Sequence, residues 1–85
     1  MKKVELYTSP FCGYCSRAKQ LLKSKGVRYS ETDVMRNPNR RAEMMKRSNG
    51  GRTVPQIFIG DKHVGGCDEL FALERDGKLD KMLAA

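Results

Sequence analysis

Hydrophobic spacing changes abruptly at Cys12-Gly13-Tyr14-Cys15. Before it, Val4 and Leu6 alternate with Glu5 and Tyr7, the period-two pattern of a strand over Val4 to Thr8. After it, Ala18, Leu21 and Leu22, preceded by Cys15, recur at helical spacing in a stretch from Ser16 to Lys25. A strand feeding straight into a helix commits the chain to an α/β arrangement and leaves two thiols at a helix start. There, free backbone N–H groups and the positive end of the helix dipole favour a thiolate at Cys12, the expected nucleophile. Cys15 falls one turn on, about 5 to 6 Å away between Cα atoms and within disulfide reach, and is the expected resolving thiol.

The rest of the chain is punctuated into short elements. Gly26 closes the first helix, and Val27 and Tyr29 alternate with Arg28 and Ser30 in a second strand. Asn37-Pro38 reads as an N-cap followed by proline at the first helical position, opening a helix to about Ser48 with Ala42 and Met45 on its core side. Asn49-Gly50-Gly51 ends it with residues that tolerate positive φ. Gln56 to Ile59 forms a third strand, and Gly60-Asp61 turns it into Lys62-His63-Val64 as an antiparallel hairpin. Beyond Gly65-Gly66, a last helix uses Leu70, Phe71 and Leu73; Gly77 breaks it before a short turn carrying Leu79, Met82 and Leu83. The order is βαβαββα. A right-handed first crossover makes strands one and two parallel, so the expected fold is thioredoxin-like: a four-stranded mixed sheet flanked by helices. The dithiol then sits at the carboxyl end of the first strand, where open α/β sheets place their sites.

Composition narrows the function. At 85 residues the chain is expected to be one domain, 1–85, with room for one compact site. No apolar run approaches the roughly 18 residues of a membrane span, and the segment after Met1-Lys2-Lys3 lacks the apolar core of a signal peptide; a cytoplasmic protein is expected, with no membrane partner. Three cysteines are too few for a disulfide scaffold. The formal net charge is +7, but acids are interleaved with the bases and no aromatic stacking platform accompanies them. Nucleic acid is therefore not the expected partner; a small anion uses the same charge over less surface.

Cys-x-x-Cys has other uses. It is half of a zinc site, and His63 and Cys67 would complete a Cys3His set, although the pair interrupts a strand-to-helix pattern and the spacing is unlike a ribbon or finger. As a structural staple it would close too short a loop to remove much unfolded-chain entropy.

Several segments occur together and in order: Tyr7-Thr8, Cys12-x-Tyr14-Cys15, Lys46-Arg47-Ser48, Thr53-Val54-Pro55-Gln56-Ile57-Phe58-Ile59 and Gly65-Gly66-Cys67-Asp68. On these, over nearly its whole length, the chain resembles the glutaredoxin family, most closely its small bacterial dithiol members. The resemblance implies a glutathione groove. Thr53-Val54-Pro55 would be a cis-proline loop whose Val54 backbone pairs with the cysteinyl part of glutathione like an added strand. Gly66-Cys67-Asp68 would open a helix whose N–H groups hold the γ-glutamyl carboxylate, with Asp68 on the α-amino group and Cys67 in the groove wall. Tyr14 would flank the sulfur-bearing end, and Lys46 or Arg52 the glycyl carboxylate.

Two positions depart from the family pattern: Ser9 where a lysine is common, and Gly13 where proline is common. The first removes a cation, for which Arg52 or Lys46 could substitute. The second loosens the loop and restores an N–H. It also bears on iron–sulfur chemistry, because glutaredoxins lacking that proline sometimes hold a [2Fe–2S] cluster between two subunits.

The resemblance thus implies a glutathione-dependent thiol–disulfide oxidoreductase acting on glutathionylated and disulfide-bonded proteins, as a monomer. Glutathione reductase and NADPH would regenerate its reductant. The alternatives are a cluster carrier, as a cluster-bridged dimer, and a zinc-stabilised module.

Overall fold

A computed structural model describes residues 2–84; Met1 and Ala85, the two ends of the expected 1–85 domain, lie outside the described residues. The elements are β1 (Val4–Thr8), α1 (Gly13–Ser24), β2 (Tyr29–Asp33), α2 (Pro38–Arg47), β3 (Gln56–Ile59), β4 (Lys62–Gly65), α3 (Cys67–Arg75) and α4 (Leu79–Leu83). The sheet runs β2-β1-β3-β4, with β1 parallel to β2 and antiparallel to β3, and β3 antiparallel to β4. This is the expected mixed sheet.

Alternation along β1 distributes side chains to two cores. Val4 and Leu6 join Ile57 and Ile59 of β3 beneath Ala18 and Leu22 of α1, Leu70 of α3 and Leu79 and Leu83 of α4. Tyr7 points the other way, and with Phe58, Val34 and Met44 it makes a smaller core under α2. Covering both faces leaves Tyr7 only 1% exposed. Arg47, in the last turn of α2, ties this face together. Its Nη1 donates to Glu5 Oε2 at 2.8 Å and to the Tyr7 hydroxyl at 2.9 Å, and its guanidinium lies 4.1 Å from the centre of the Phe58 ring. The Tyr7 hydroxyl in turn donates to Glu43.

Three local expectations need correction. Helix α1 begins at Gly13 rather than Ser16, because Cys12 itself serves as N-cap. Strand β2 lies further along than Val27–Ser30: Val27 is buried in the larger core but precedes the strand, whose pairs with β1 run from Val4–Tyr29 to Thr8–Asp33. As the sheet's outermost strand beside β1, β2 can carry Glu31 and Asp33 and need not show an apolar alternation. On α2, Met44 is the fully buried residue, while Met45 is half-buried and Ala42 exposed.

Gly26 and Gly77 follow their helices at φ of 69° and 70°, the left-handed conformation glycine takes most easily.

Candidate active site

Sequence order places the thiols in unequal surroundings. Cys12 occupies the extended N-cap position at φ −99°, ψ 107°, and its sulfur accepts the Cys15 N–H at 3.1 Å. As a thiol it donates to the Val54 carbonyl at 3.8 Å, and it is partly exposed. Cys15 is 1% exposed. Burial pushes its thiol up to about 12, reinforced by the hydrogen bond and charge of Cys12 and opposed by the Ser9 amide and the Lys19 charge. One accessible sulfur thus stands beside one protonated, buried reserve thiol. A Cβ on Gly13 would meet nothing within 4 Å, so neither crowding nor the extended Cys12 before it demands glycine in place of proline there.

Val54, whose carbonyl the Cys12 thiol meets, borders a cavity of about 360 Å³. One wall is Tyr14 of α1, 59% exposed; another is Thr53, Val54 and Pro55, with the Val54–Pro55 peptide bond cis; the third is Gly66, Cys67 and Asp68 at the start of α3. Seven of the residues anticipated for binding therefore meet in one place. The Gly66 N–H is already engaged, donating to Glu69 Oε1 at 2.7 Å. A Cβ at Gly66 would lie 3.3 Å from the Pro55 carbonyl oxygen, so this glycine allows the two walls to approach closely. Cys67 is 5% exposed and burial raises its thiol, as suits a wall residue.

Lys46 and Arg52 are both exposed and do not line this cavity. Arg52 is placed by its backbone, its carbonyl accepting Arg41 Nη2 at 3.3 Å.

Cys12 itself borders a larger cleft of about 800 Å³, bounded by Ser9, Pro10 and Phe11 and by Lys19, Glu31, Asp33 and Arg36. Sequence reading overlooked this cleft, since its charged groups come from α1, from the edge strand and from the turn after it, and carry no common spacing. Glu69 was also overlooked, although its position three residues after the Gly66 N-cap follows the capping-box spacing.

The four candidate zinc ligands do not converge. His63 Nε2 is 2.7 Å from Gln56 Oε1 and its ring lies against Phe58, and among the described residues no group of three or more His, Cys, Asp or Glu is placed to hold a metal ion. Among the same residues no helix is long and apolar enough to cross a membrane.

A dithiol at the carboxyl end of the first strand of a four-stranded mixed sheet, beside a cis-proline loop, defines a thiol–disulfide oxidoreductase of thioredoxin-like fold. A glutaredoxin family model matches residues 4–64. The chain is 54% identical over 85 residues to a glutaredoxin of Pseudomonas aeruginosa, covering 100% of both, and 54% identical over 83 residues to glutaredoxin 3 of Escherichia coli strain K12, covering 98% of this chain and 99% of that one. It superposes on the crystal structure of a buckwheat glutaredoxin–glutathione complex with a TM-score of 0.86 at 40% identity, covering 94% of this chain and 74% of that one. The solution structure of a Brucella melitensis glutaredoxin gives 0.84 at 55% identity, covering 98% and 89%. The chain belongs to the glutaredoxin family.

Proposed function

We propose that this chain acts in the cytoplasm as a glutathione-dependent oxidoreductase, one domain over 1–85, which reduces protein–glutathione mixed disulfides and protein disulfides through Cys12 and Cys15. The observation that carries this reading is the position of the Cys12 sulfur, 3.8 Å from the Val54 carbonyl at the edge of the 360 Å³ groove. That volume is within the roughly 300 to 1,000 Å³ of small-ligand sites. The buckwheat relative, crystallised with glutathione, supports the choice of ligand.

In this reading the Val54 backbone pairs with the cysteinyl unit of glutathione. The N–H groups of Cys67 and Asp68, the next two after the engaged Gly66 amide, face the γ-glutamyl carboxylate, and Asp68 takes the α-amino group. Cys12, as thiolate, attacks the glutathione sulfur of a mixed disulfide; the protein thiolate leaves and is protonated by solvent. A second glutathione thiolate attacks the Cys12-bound sulfur and departs as glutathione disulfide, returning Cys12. With a protein disulfide, Cys12 forms the mixed disulfide and Cys15 displaces the substrate. The Cys12–Cys15 disulfide is then reduced by glutathione.

The donor set of one chain does not fit a [2Fe–2S] cluster, because Cys15 and Cys67 are buried and Cys12 alone presents a sulfur at the surface. Further ligands would have to come from glutathione and a second copy.

Turnover of a glutathionylated peptide, coupled to glutathione reductase and NADPH, tests the proposal. NADPH consumption that depends on both the protein and glutathione is expected; turnover equally well supported by a generic dithiol, with no glutathione saturation, would remove the glutathione reading.

A further inference from the structure

The larger cleft beside Cys12 contains an ion pair with no part in the chemistry above. Lys19 follows Cys15 by four residues on α1, so the two side chains leave the same face of the helix one turn apart, and both border this cleft with Cys12. Glu31 reaches Lys19 from β2: its Oε2 accepts Lys19 Nζ at 3.0 Å and the Thr8 hydroxyl at 2.8 Å. Burial alone would raise the Glu31 carboxyl, but the bonds from Thr8 and Lys19 outweigh it and leave it below the usual range; Glu31 in turn keeps Lys19 protonated. Tyr29 on β2 also faces Lys19, and the cleft's other charges, Asp33 and Arg36, are paired with each other at 3.5 Å. A half-exposed pair adds little stability. Its place beside a buried thiol gives it a different use.

Cys15 must lose its proton before it can resolve a mixed disulfide. In the reduced protein burial holds the proton on, and the hydrogen bond and charge of Cys12 add to burial, against the Ser9 amide and the Lys19 ammonium. Once Cys12 is part of a disulfide its sulfur carries no charge, and both of its contributions lapse. Burial is then opposed by Ser9 and Lys19 alone.

We propose that Lys19, fixed in the cleft by Glu31, which Thr8 in turn holds, is a positioning residue for the resolving step, its ammonium stabilising the Cys15 thiolate when Cys12 is bound in a mixed disulfide. Cys15 gives its proton to water in the open cleft and attacks the Cys12 sulfur. The Cys12–Cys15 bond forms, the bond from Cys12 to the substrate sulfur breaks, and the departing thiolate takes a proton from solvent. The two electrons of the dithiol leave with the substrate.

The inference rests on the reading of Cys15 as resolving thiol, and a glutathione-free assay separates the two. Reduced protein lacking the third thiol (Cys67→Ser) is mixed with dithiobis-nitrobenzoate. Cys12 releases one thionitrobenzoate, and Cys15 then releases the second in a unimolecular step. Lys19→Met is expected to slow the second release about three- to four-fold near neutral pH and to move its pH midpoint up by about one unit, because a ten-fold fall in thiolate fraction is partly offset by the greater nucleophilicity of the more basic thiolate. The first release should stay within about two-fold, and Lys19→Arg should restore most of the second. A second phase with unchanged rate and midpoint in Lys19→Met, or equal slowing of both phases, overturns the role of Lys19. A second release in the parent protein that depends on protein concentration, or persists in Cys15→Ser, overturns the resolving-thiol reading and this inference with it.

Discussion

The Cys15 amide donates to the Cys12 sulfur at 3.1 Å, while the Cys15 side chain is 1% exposed beneath it. A single helix start thus supplies both a hydrogen bond for the accessible sulfur and a buried position for its partner.

Different consequences follow for the two thiols. Cys12→Ser is expected to abolish turnover of every disulfide substrate, whereas Cys15→Ser should retain reduction of glutathione mixed disulfides and lose the dithiol route to protein disulfides. Parallel assays on a glutathionylated peptide and a disulfide-bonded protein check this; an active Cys12→Ser would reverse the assignment.

The buried thiol also links stability to alkaline pH. Cys15 is raised from 9.0 to about 12 in the folded chain, largely by burial, so between those values the unfolded state has released a proton that the native state retains. Its contribution is fully present below about pH 9 and is lost as pH rises towards 12, with a slope of up to about 1.4 kcal/mol per pH unit. Urea midpoints measured from pH 8 to 11 should fall more steeply for the parent protein than for Cys15→Ser. Parallel curves would contradict the burial effect.

Within the groove, Asp68 and the outlying cations should separate in their effects. Asp68→Ala removes a charged hydrogen-bonding group from the cavity wall and is expected to raise KM for glutathione mixed disulfides about ten-fold or more, with a smaller change in kcat. Lys46→Ala with Arg52→Ala, both exposed, should raise KM only about two- to three-fold, and added salt should reproduce that rise. If the double variant exceeded Asp68→Ala, the dominant glutathione contact would be the glycyl carboxylate on the Arg52 side.

Packing of α2 gives a stability test. Met44→Ala opens a cavity under a helix whose one fully buried side chain is Met44, and a loss of about 2 to 4 kcal/mol is expected from denaturant melts. Ala42→Ser, on the exposed side, should change stability by less than about 0.5 kcal/mol. Comparable losses would place the α2 seam elsewhere.

Sequence alone determined the features whose causes are local. Cys12 at the change from strand to helix spacing, Gly26 and Gly77 after helices, Asn37-Pro38 before one, and Gly60-Asp61 between two short strands each act through neighbouring φ/ψ and hydrogen bonds, and each marks an observed boundary within a few residues. Thr53-Val54-Pro55 and Gly66-Cys67-Asp68, which the family resemblance singled out as contiguous segments, border one cavity. Tertiary structure decided what depends on a partner distant in the chain. Strand β2 is set by five parallel pairs with β1, which override the Val27-Tyr29 alternation. Met44 rather than Ala42 faces inward because Tyr7 and Phe58 offer an aromatic surface on the second side of the sheet. Lys19 meets Glu31 for the same kind of reason: a helix and an edge strand are brought to one cleft by the β1–β2 crossover, and a pairing twelve residues apart has no periodicity by which a linear reading could find it.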